Sequence, residues 1–370
     1  MKISIADGWL RRKRKIYLLL DLNSGCNIHC IHCYRNAYSP HNGSIDRDQL
    51  AILERDVFPY VDKLSLAQSA ETLILPILPE VLRAARRTRI HFSCIQTNGT
   101  FLTQEKSRML LDLGLNQMGI SLDGATKETF ETIRAGAEWE SVLENIRTFI
   151  RLRDAHPINK IYVSFNFALM RQNAHEAVRF IRFAKQEGAN SVTFAHLVVE
   201  TGEMREWSLI DDPRESNRLS AALREEAKRL GIDARVPRDL PEDIQPFEGG
   251  LLESPSYRGH CNAAHQDWLF IMSNGNCYPC LNLQDCGYMG NIFETPFREI
   301  WYGEVNQRFR NRALLHDIAE GCDHCKDCTL TDDLGSEMAF LAKRMTTRSA
   351  AELDLGASPP PAVEASLVPA

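Results

Sequence analysis

Between Ile16 and about Val199, short apolar runs alternate with stretches whose apolar residues recur at helical spacing. The strand-like runs are Ile16–Leu22, Lys63–Ala67, Ile90–Thr97, Gln117–Leu122, Lys160–Met170 and Ser191–Val199. Asp46 with Gln49 reads as a capping box ahead of Leu50, Leu53 and Val57. Asn173 with Glu176 repeats it ahead of Ala177, Phe180, Ile181 and Ala184, and Gly188 supplies the stop. Thr103 opens a further helix that Gly114 closes. Strands alternating with helices predict an α/β fold with a parallel sheet and right-handed crossovers. Six such units suit a partial (β/α)6 barrel, because the closed eightfold form needs about 250 residues.

One strand carries a further signal. Ile161, Val163, Phe165, Phe167 and Leu169 share one parity, and Tyr162, Ser164, Asn166 and Ala168 share the other. Either helices cover one face while the other lines a polar cavity, or the strand is simply half exposed. Beyond it, residues 211–231 read as helix and 233–257 as a Pro- and Gly-rich connector. Asp267–Ser273, the turn Asn274-Gly275 and Asn276–Cys280 then read as a hairpin with a two-residue loop. The expected domains are 1–232 (barrel with connecting helix), 233–256 (linker), 257–345 (a small cysteine-rich α+β domain) and 346–370 (a disordered tail).

Composition narrows the class. The 370 residues are 44% hydrophobic, enough for about two domains, and the net charge of −6 gives no basic footprint for nucleic acid. No run approaches the ~20 apolar residues of a membrane helix, and Leu73–Leu82 is interrupted by Pro76 and Pro79. Arg11–Lys15 is followed by only the apolar run Ile16–Leu20 before Asp21, short of the ~7–15 residues of a signal peptide. These features predict a cytoplasmic protein that binds neither membrane nor nucleic acid. In that compartment the 11 cysteines point to metal or redox chemistry rather than disulfides.

Cys26, Cys30 and Cys33 sit just past the first strand, at the carboxyl end where α/β sites form. A [4Fe–4S] cluster normally takes four cysteines, so three leave one iron open to a non-protein ligand. Zinc with His29 or His32 as fourth ligand is the competing assignment. The run Cys26-x3-Cys30-x2-Cys33 followed by Tyr34 resembles the signature of the radical S-adenosylmethionine (radical SAM) enzymes. The resemblance implies that the open iron binds the amino and carboxylate groups of S-adenosylmethionine. Reductive cleavage then gives methionine and a 5′-deoxyadenosyl radical that removes a hydrogen atom from carbon. It also implies a flavodoxin or ferredoxin as electron donor, and Tyr34 as part of the cofactor site.

Further motifs fit the same family. Glu71 occupies the glutamate position of its Gly-Gly-Glu-Pro motif, which contacts the methionyl amino group. Gln68, Ser69, Ala70 and Thr72 depart from that motif. Gln96-Thr97-Asn98-Gly99-Thr100 is similar to its Thr-Asn-Gly turn, and Ser121-Leu122-Asp123-Gly124 to its Ser-Leu-Asp-Gly motif. The resemblance gives Ser121 and Arg134 contacts to the ribose and carboxylate of the cofactor.

In the last third, Cys261, Cys280 and the run Cys322-x2-Cys325-x2-Cys328 resemble the family's SPASM/twitch extension. The closing run is shorter than the full SPASM pattern, which implies one auxiliary [4Fe–4S] cluster held by Cys261, Cys280, Cys322 and Cys325. Cys328 is an alternative ligand, and Cys277 and Cys286 are not assigned to the cluster. A zinc ribbon built on Cys277-x2-Cys280 and Cys322-x2-Cys325 is the other possibility. Leu281 replaces the aspartate that follows the corresponding cysteine in sulfatase-maturing relatives, which argues against that activity. A saturated auxiliary cluster serves as an electron acceptor, which favours net oxidation, and the short extension points to a small polar metabolite such as a sugar or aminocyclitol as substrate. Maturation of a ribosomally made peptide is the alternative, and a non-catalytic zinc-stabilised binding protein is the alternative of another class. Cys94 is either a small core residue or a hydrogen donor. His196 and Asp267 are candidate bases.

Overall fold

The structure is a computed structural model that describes residues 16–33, 35, 43–66, 70–197, 202–240, 245–246, 252–253, 263, 267–280 and 287–314. Tyr34, Gln68, Ser69, Cys261, Leu281, Cys286, Cys322, Cys325, Cys328 and the tail lie outside the described residues.

Six parallel strands appear where the pattern places them: β1 (Ile16–Leu20), β3 (Val61–Leu66), β4 (Phe92–Thr97), β5 (Gln117–Ser121), β7 (Tyr162–Leu169) and β8 (Ser191–His196). Two short strands, β2 (His29–Cys30) and β6 (Arg134–Ala135), form a separate ladder. Among the described residues the main sheet has ten strands, because both edges grow. At one edge β9 (Asp233–Arg235) pairs in parallel with β8, so the first residues of the expected linker are sheet. Strands β10 (Gln245–Pro246) and β11 (Leu252–Glu253) pair with each other.

At the opposite edge β12 (Trp268–Ile271) pairs in parallel with β1, and β13 (Asn276–Tyr278) and β14 (Gly290–Asn291) continue antiparallel. The cysteine-rich hairpin therefore extends the barrel's own sheet. Its loop has three residues, not two. Gly275 N–H donates to the Met272 carbonyl and Met272 N–H to the Asn276 carbonyl, with Gly275 at φ +90°. This is a type I turn closed by a left-handed glycine, and a Cβ on Gly275 would meet Phe293 at 2.4 Å.

Local sequence sets most helix ends. In α1 (Arg47–Asp56) both bonds of the capping box form, Gln49 N to Asp46 Oδ1 at 2.8 Å and Asp46 N to Gln49 Oε1 at 3.1 Å. Pro79 starts α2 (Leu78–Arg87) from its first turn, where a proline lacks no needed donor, and so does not break the apolar run. Thr103 caps α3 (Gln104–Asp112). Helices α4 (Lys127–Ile133) and α5 (Trp139–Ala155) follow, and Gly231 at φ +60° ends α8 (Pro213–Leu230) after the short α7 (Gly202–Trp207). Two more helices, α9 (Phe297–Trp301) and α10 (Glu304–Leu314), follow the hairpin.

The second expected capping box does not form. Ahead of α6 (Ala177–Gln186), Asn173 donates to the carbonyls of Asp123 and Ala168. Glu176 accepts from Ala125 N, Thr126 and Thr129. Stronger long-range donors, the orphan N–H and hydroxyls at the start of α4, win the two side chains from the local cap.

The parity signal in β7 resolves to a two-sided strand. Val163, Phe165, Phe167 and Leu169 are buried beneath helices, where Phe167 meets Phe180 at 4.8 Å and Phe194 at 5.4 Å between ring centroids. Ser164 and Asn166 face the barrel interior, with Ser164 Oγ 3.0 Å from Thr193 Oγ1 and Asn166 Nδ2 2.6 Å from Gln96 Oε1. Phe167→Ala should cost about 3–5 kcal/mol in a urea-unfolding measurement, because it empties the centre of this aromatic cluster.

Candidate active site

The loop after β1 carries Cys26, Cys30 and Cys33, all partly buried thiols. The β2–β6 ladder fixes its middle: Cys30 stands directly opposite Arg134, and Arg134 Nη1 lies 3.5 Å from Cys30 Sγ. Burial pushes the Cys30 thiol up to about 11, against the pull of Arg134, and raises Cys33 as well. Since a metal is bound by thiolates, loading this loop must displace those protons.

Asp123, in the turn after β5, has left-handed backbone at φ +59° and is buried. Its Oδ2 lies 2.6 Å from Arg134 Nη2 and 3.4 Å from His32 Nε2, and its Oδ1 accepts from Ala168 N at 2.7 Å. The Asp123 carboxylate lies beside His32 Nε2, and burial lowers the His32 pKa. His29 is exposed on β2.

Glu71 ties the loop after β3 to the turn after β4. Its oxygens accept from Leu73 N at 3.0 Å, Thr97 Oγ1 at 2.9 Å and Asn98 N at 2.7 Å. Its own N–H donates to the Gly25 carbonyl, just before Cys26. Burial raises the Glu71 pKa, and these three donors oppose the shift. Asn98 then reaches the cysteine loop, with Nδ2 at 3.1 Å from Asn27 Oδ1 and 3.7 Å from Cys26 Sγ. The sequence placed Asn98 and Asp123 inside recognised motifs but gave neither a role; Asn27 and Thr100 carried no signal. Asn27 Nδ2 bonds Thr100 Oγ1 at 2.9 Å.

The donor set fits a cluster with one open iron. Three thiols share one loop, polar N–H groups reach two of their sulfurs, and buried Arg134 Nε and His32 Nδ1 have no partner among the described residues. Such orphaned atoms call for a polar ligand. Ser121 ends β5 with the interior parity of Gly119, on the same side as Gln96 and Asn166.

Sequence comparison bears on this geometry directly. Residues 21–184 match the model of the radical SAM superfamily, and residues 261–329 match the SPASM iron–sulfur cluster-binding domain. The chain belongs to the radical SAM superfamily. It is an enzyme of that family, with a [4Fe–4S] cluster that binds S-adenosylmethionine and auxiliary iron–sulfur in its SPASM domain. It is similar to an AdoMet-dependent heme synthase of Methanosarcina barkeri, 28% identical over 83% of this chain and 88% of that one. A GTP 3′,8-cyclase of Limosilactobacillus fermentum is 26% identical over 82% and 90%. The fold is similar to that of native anSMEcpe with bound AdoMet (TM-score 0.62, 19% identity, 92% and 100% covered). It also resembles Streptococcus suis SuiB bound to its precursor peptide SuiA (TM-score 0.63, 17% identity, 83% and 72% covered). At these identities the structures speak for the fold alone.

The remaining candidates of this radical SAM enzyme sort by surroundings. Cys277 belongs to the helix-side core, where burial raises its pKa strongly, whereas Cys280 packs with Leu19, Trp268, Phe270 and Tyr278 on the other face. Cys277 lies on β13 and Cys280 two residues past its end, in a different buried cluster, which counts against a zinc ribbon that uses both. Cys94 is buried against Tyr17 and Phe92 in the barrel interior. Asp267 pairs with Arg310 at 2.5 Å, and that guanidinium stacks 4.0 Å over Trp301. His196 has both ring nitrogens buried without partners, and desolvation lowers its pKa to about 4.

Two outcomes follow from these groups. Arg134→Ala should destabilise the fold by about 3–5 kcal/mol in urea titrations, because Asp123 keeps its burial and loses its cation. His196 binds its proton less readily folded than unfolded, so its contribution is full above its unfolded pKa of 6.5 and is lost as pH falls towards 4. Unfolding free energies of wild type and His196→Phe should therefore diverge in pH slope across that window, by up to about 3 kcal/mol in total.

Proposed function

We propose that this radical SAM enzyme is an oxidoreductase that removes hydrogen from a C–H bond of a small polar metabolite, such as a sugar or aminocyclitol. The observation that carries this reading is a row of uncharged amide and hydroxyl side chains inside the barrel, edged by Arg235 opposite Thr193. Gln96, Asn166, Ser164 and Thr193 form a hydrogen-bonded row across β4, β7 and β8. Gly119 makes the row possible, since a Cβ there would stand 2.0 Å from Gln96 Oε1. Because that oxygen already accepts from Asn166, the Gln96 amide nitrogen is left to donate to a hydroxyl or carbonyl. A neutral, hydroxyl-rich molecule matches such a surface without an unpaired buried charge.

When bound, the cluster and S-adenosylmethionine supply a 5′-deoxyadenosyl radical, and the auxiliary cluster an acceptor for the electron left on the substrate. Arg134 and Asn98 hold the sulfurs of Cys30 and Cys26, Asp123 fixes Arg134, and Glu71 fixes the Asn98 turn. Tyr17, Phe92 and Trp268 share the interior side of the sheet with the polar row, with Lys63 between Tyr17 and Phe92. Tyr34, Glu71, Ser121 and Arg134 are the cofactor-binding residues of this proposal. Cys261, Cys280, Cys322 and Cys325 are the ligands of a single auxiliary cluster. A cytoplasmic flavodoxin or ferredoxin is the donor. The relatives that match along most of both chains are named for heme synthesis and GTP cyclisation, which supports a non-peptide substrate over a ribosomally made peptide. Among the described residues no helix is long and apolar enough to cross a membrane.

The test is release of 5′-deoxyadenosine under strict anoxia from panels of sugars, aminocyclitols and peptides. A member of the first two panels should raise release above the level with S-adenosylmethionine alone; stimulation by peptides only would overturn the reading. Replacing Cys26, Cys30 and Cys33 with Ala should abolish release, whereas Cys322→Ala with Cys325→Ala should spare uncoupled release and stop product formation.

A further inference from the structure

Asn98 follows β4 directly and is buried, and both ends of its side-chain amide are engaged. Its Oδ1 accepts from Thr100 N at 2.9 Å and from Thr100 Oγ1 at 2.6 Å. Its Nδ2 donates to Asn27 Oδ1 at 3.1 Å and reaches Cys26 Sγ at 3.7 Å. Asn27 Nδ2 closes the ring by donating to Thr100 Oγ1 at 2.9 Å. The two donors of Thr100 decide which end of the Asn98 amide is oxygen, so its nitrogen faces the sulfur.

The turn that carries this amide is held from several directions. Glu71 accepts from Asn98 N and Thr97 Oγ1, and Asn145 of α5 donates to the carbonyls of Gly99 and Thr100. Gly99, at φ +78°, lies so close to α5 that a Cβ there would stand 3.1 Å from Val142. A donor fixed in this way needs no reorganisation when the sulfur beside it gains charge. The other donor to a loop sulfur differs in kind. Arg134 brings a cation to Cys30, but Asp123 lies 2.6 Å from that guanidinium and offsets its charge. Among the described residues no carboxylate accepts from the Asn98 amide, whose other acceptor is the neutral Asn27.

We propose that Asn98 is a positioning residue of the cluster that binds S-adenosylmethionine: its side-chain N–H donates to the Cys26 sulfur and raises that cluster's reduction potential. This rests on Cys26 as a ligand and holds whichever substrate the enzyme takes. The reduced cluster carries the greater negative charge on its sulfurs, so a fixed donor there stabilises the reduced state. Asn98 thereby eases entry of the electron that cleavage of S-adenosylmethionine consumes.

The experiment is a redox titration of the anaerobic holoenzyme without S-adenosylmethionine, followed by electron paramagnetic resonance. The signal to read is the one that S-adenosylmethionine alters when it is added afterwards. Asn98→Leu with full iron keeps the size of the side chain, removes the donor and should shift this signal to more negative potential. The expected size is about tenfold in the oxidised-to-reduced ratio at fixed potential, or about 59 mV for one electron. Full iron with an unmoved potential overturns the proposal while leaving Cys26 as ligand. Retention of that signal and all iron in Cys26→Ala would instead overturn the ligand assignment. Should Asn98→Leu lose the cluster, pulsed measurements on wild type grown with asparagine labelled with 15N in its side chain decide the matter. Among the described asparagines only Asn98 has its amide nitrogen within hydrogen-bond reach of a sulfur of the cysteine loop. A 15N coupling to the same signal supports the hydrogen bond, and its absence refutes it.

Discussion

A carboxylate buried at the barrel mouth must be matched by donors on every side, and Asp123 meets that demand by gathering four stretches of chain. It takes the Ala168 N–H from the end of β7, the Arg134 guanidinium from β6 and the edge of His32 from the cysteine loop, while Asn173 holds its carbonyl. Through Arg134 the same pair reaches Cys30. The position of the central cysteine is therefore set by an ion pair whose members lie in the turn after β5 and on β6. Glu71 does the equivalent work on the other flank, joining Gly25, Thr97 and Asn98.

Two buried carboxylates thus frame the cysteine loop, and neither is free to act as a base. Their chemistry is that of acceptors for backbone and side-chain N–H groups, which makes them supports for groups that meet the cofactor. The barrel below is divided in the same economical way. Most outward-facing strand residues are aliphatic or aromatic and meet helices, while the inward face carries Tyr17, Lys63, Phe92 and Trp268 at one end and amide and hydroxyl groups at Gln96, Ser164, Asn166 and Thr193. Aromatic and polar zones in one cavity suit a reactive intermediate held beside a hydrogen-bonded substrate.

The SPASM hairpin shows how closely the two cysteine groups are joined. Because β12 pairs with β1, the first strand of the second region lies beside the strand that delivers Cys26. A register shift of one residue would send Trp268 and Cys280 into the helix-side core and bring Cys277 inward. The turn at Gly275, crowded by Phe293 and Asn291, guards against that slip.

The six strands, the capping box at Asp46 and the Cys26, Cys30 and Cys33 loop were legible along the chain, because period, cap chemistry and ligand spacing are properties of neighbouring residues. So was the two-faced character of β7, once its parity was compared. What tertiary structure alone decided depends on residues far apart in sequence. Asn173 and Glu176 leave a cap for partners 50 residues away. Arg134 comes to Cys30 from 104 residues off. The hairpin joins the edge of β1, and Cys277 and Cys280 part to different buried clusters. Each of these turns on competition among buried donors and acceptors, and that competition exists only after the chain has closed its core.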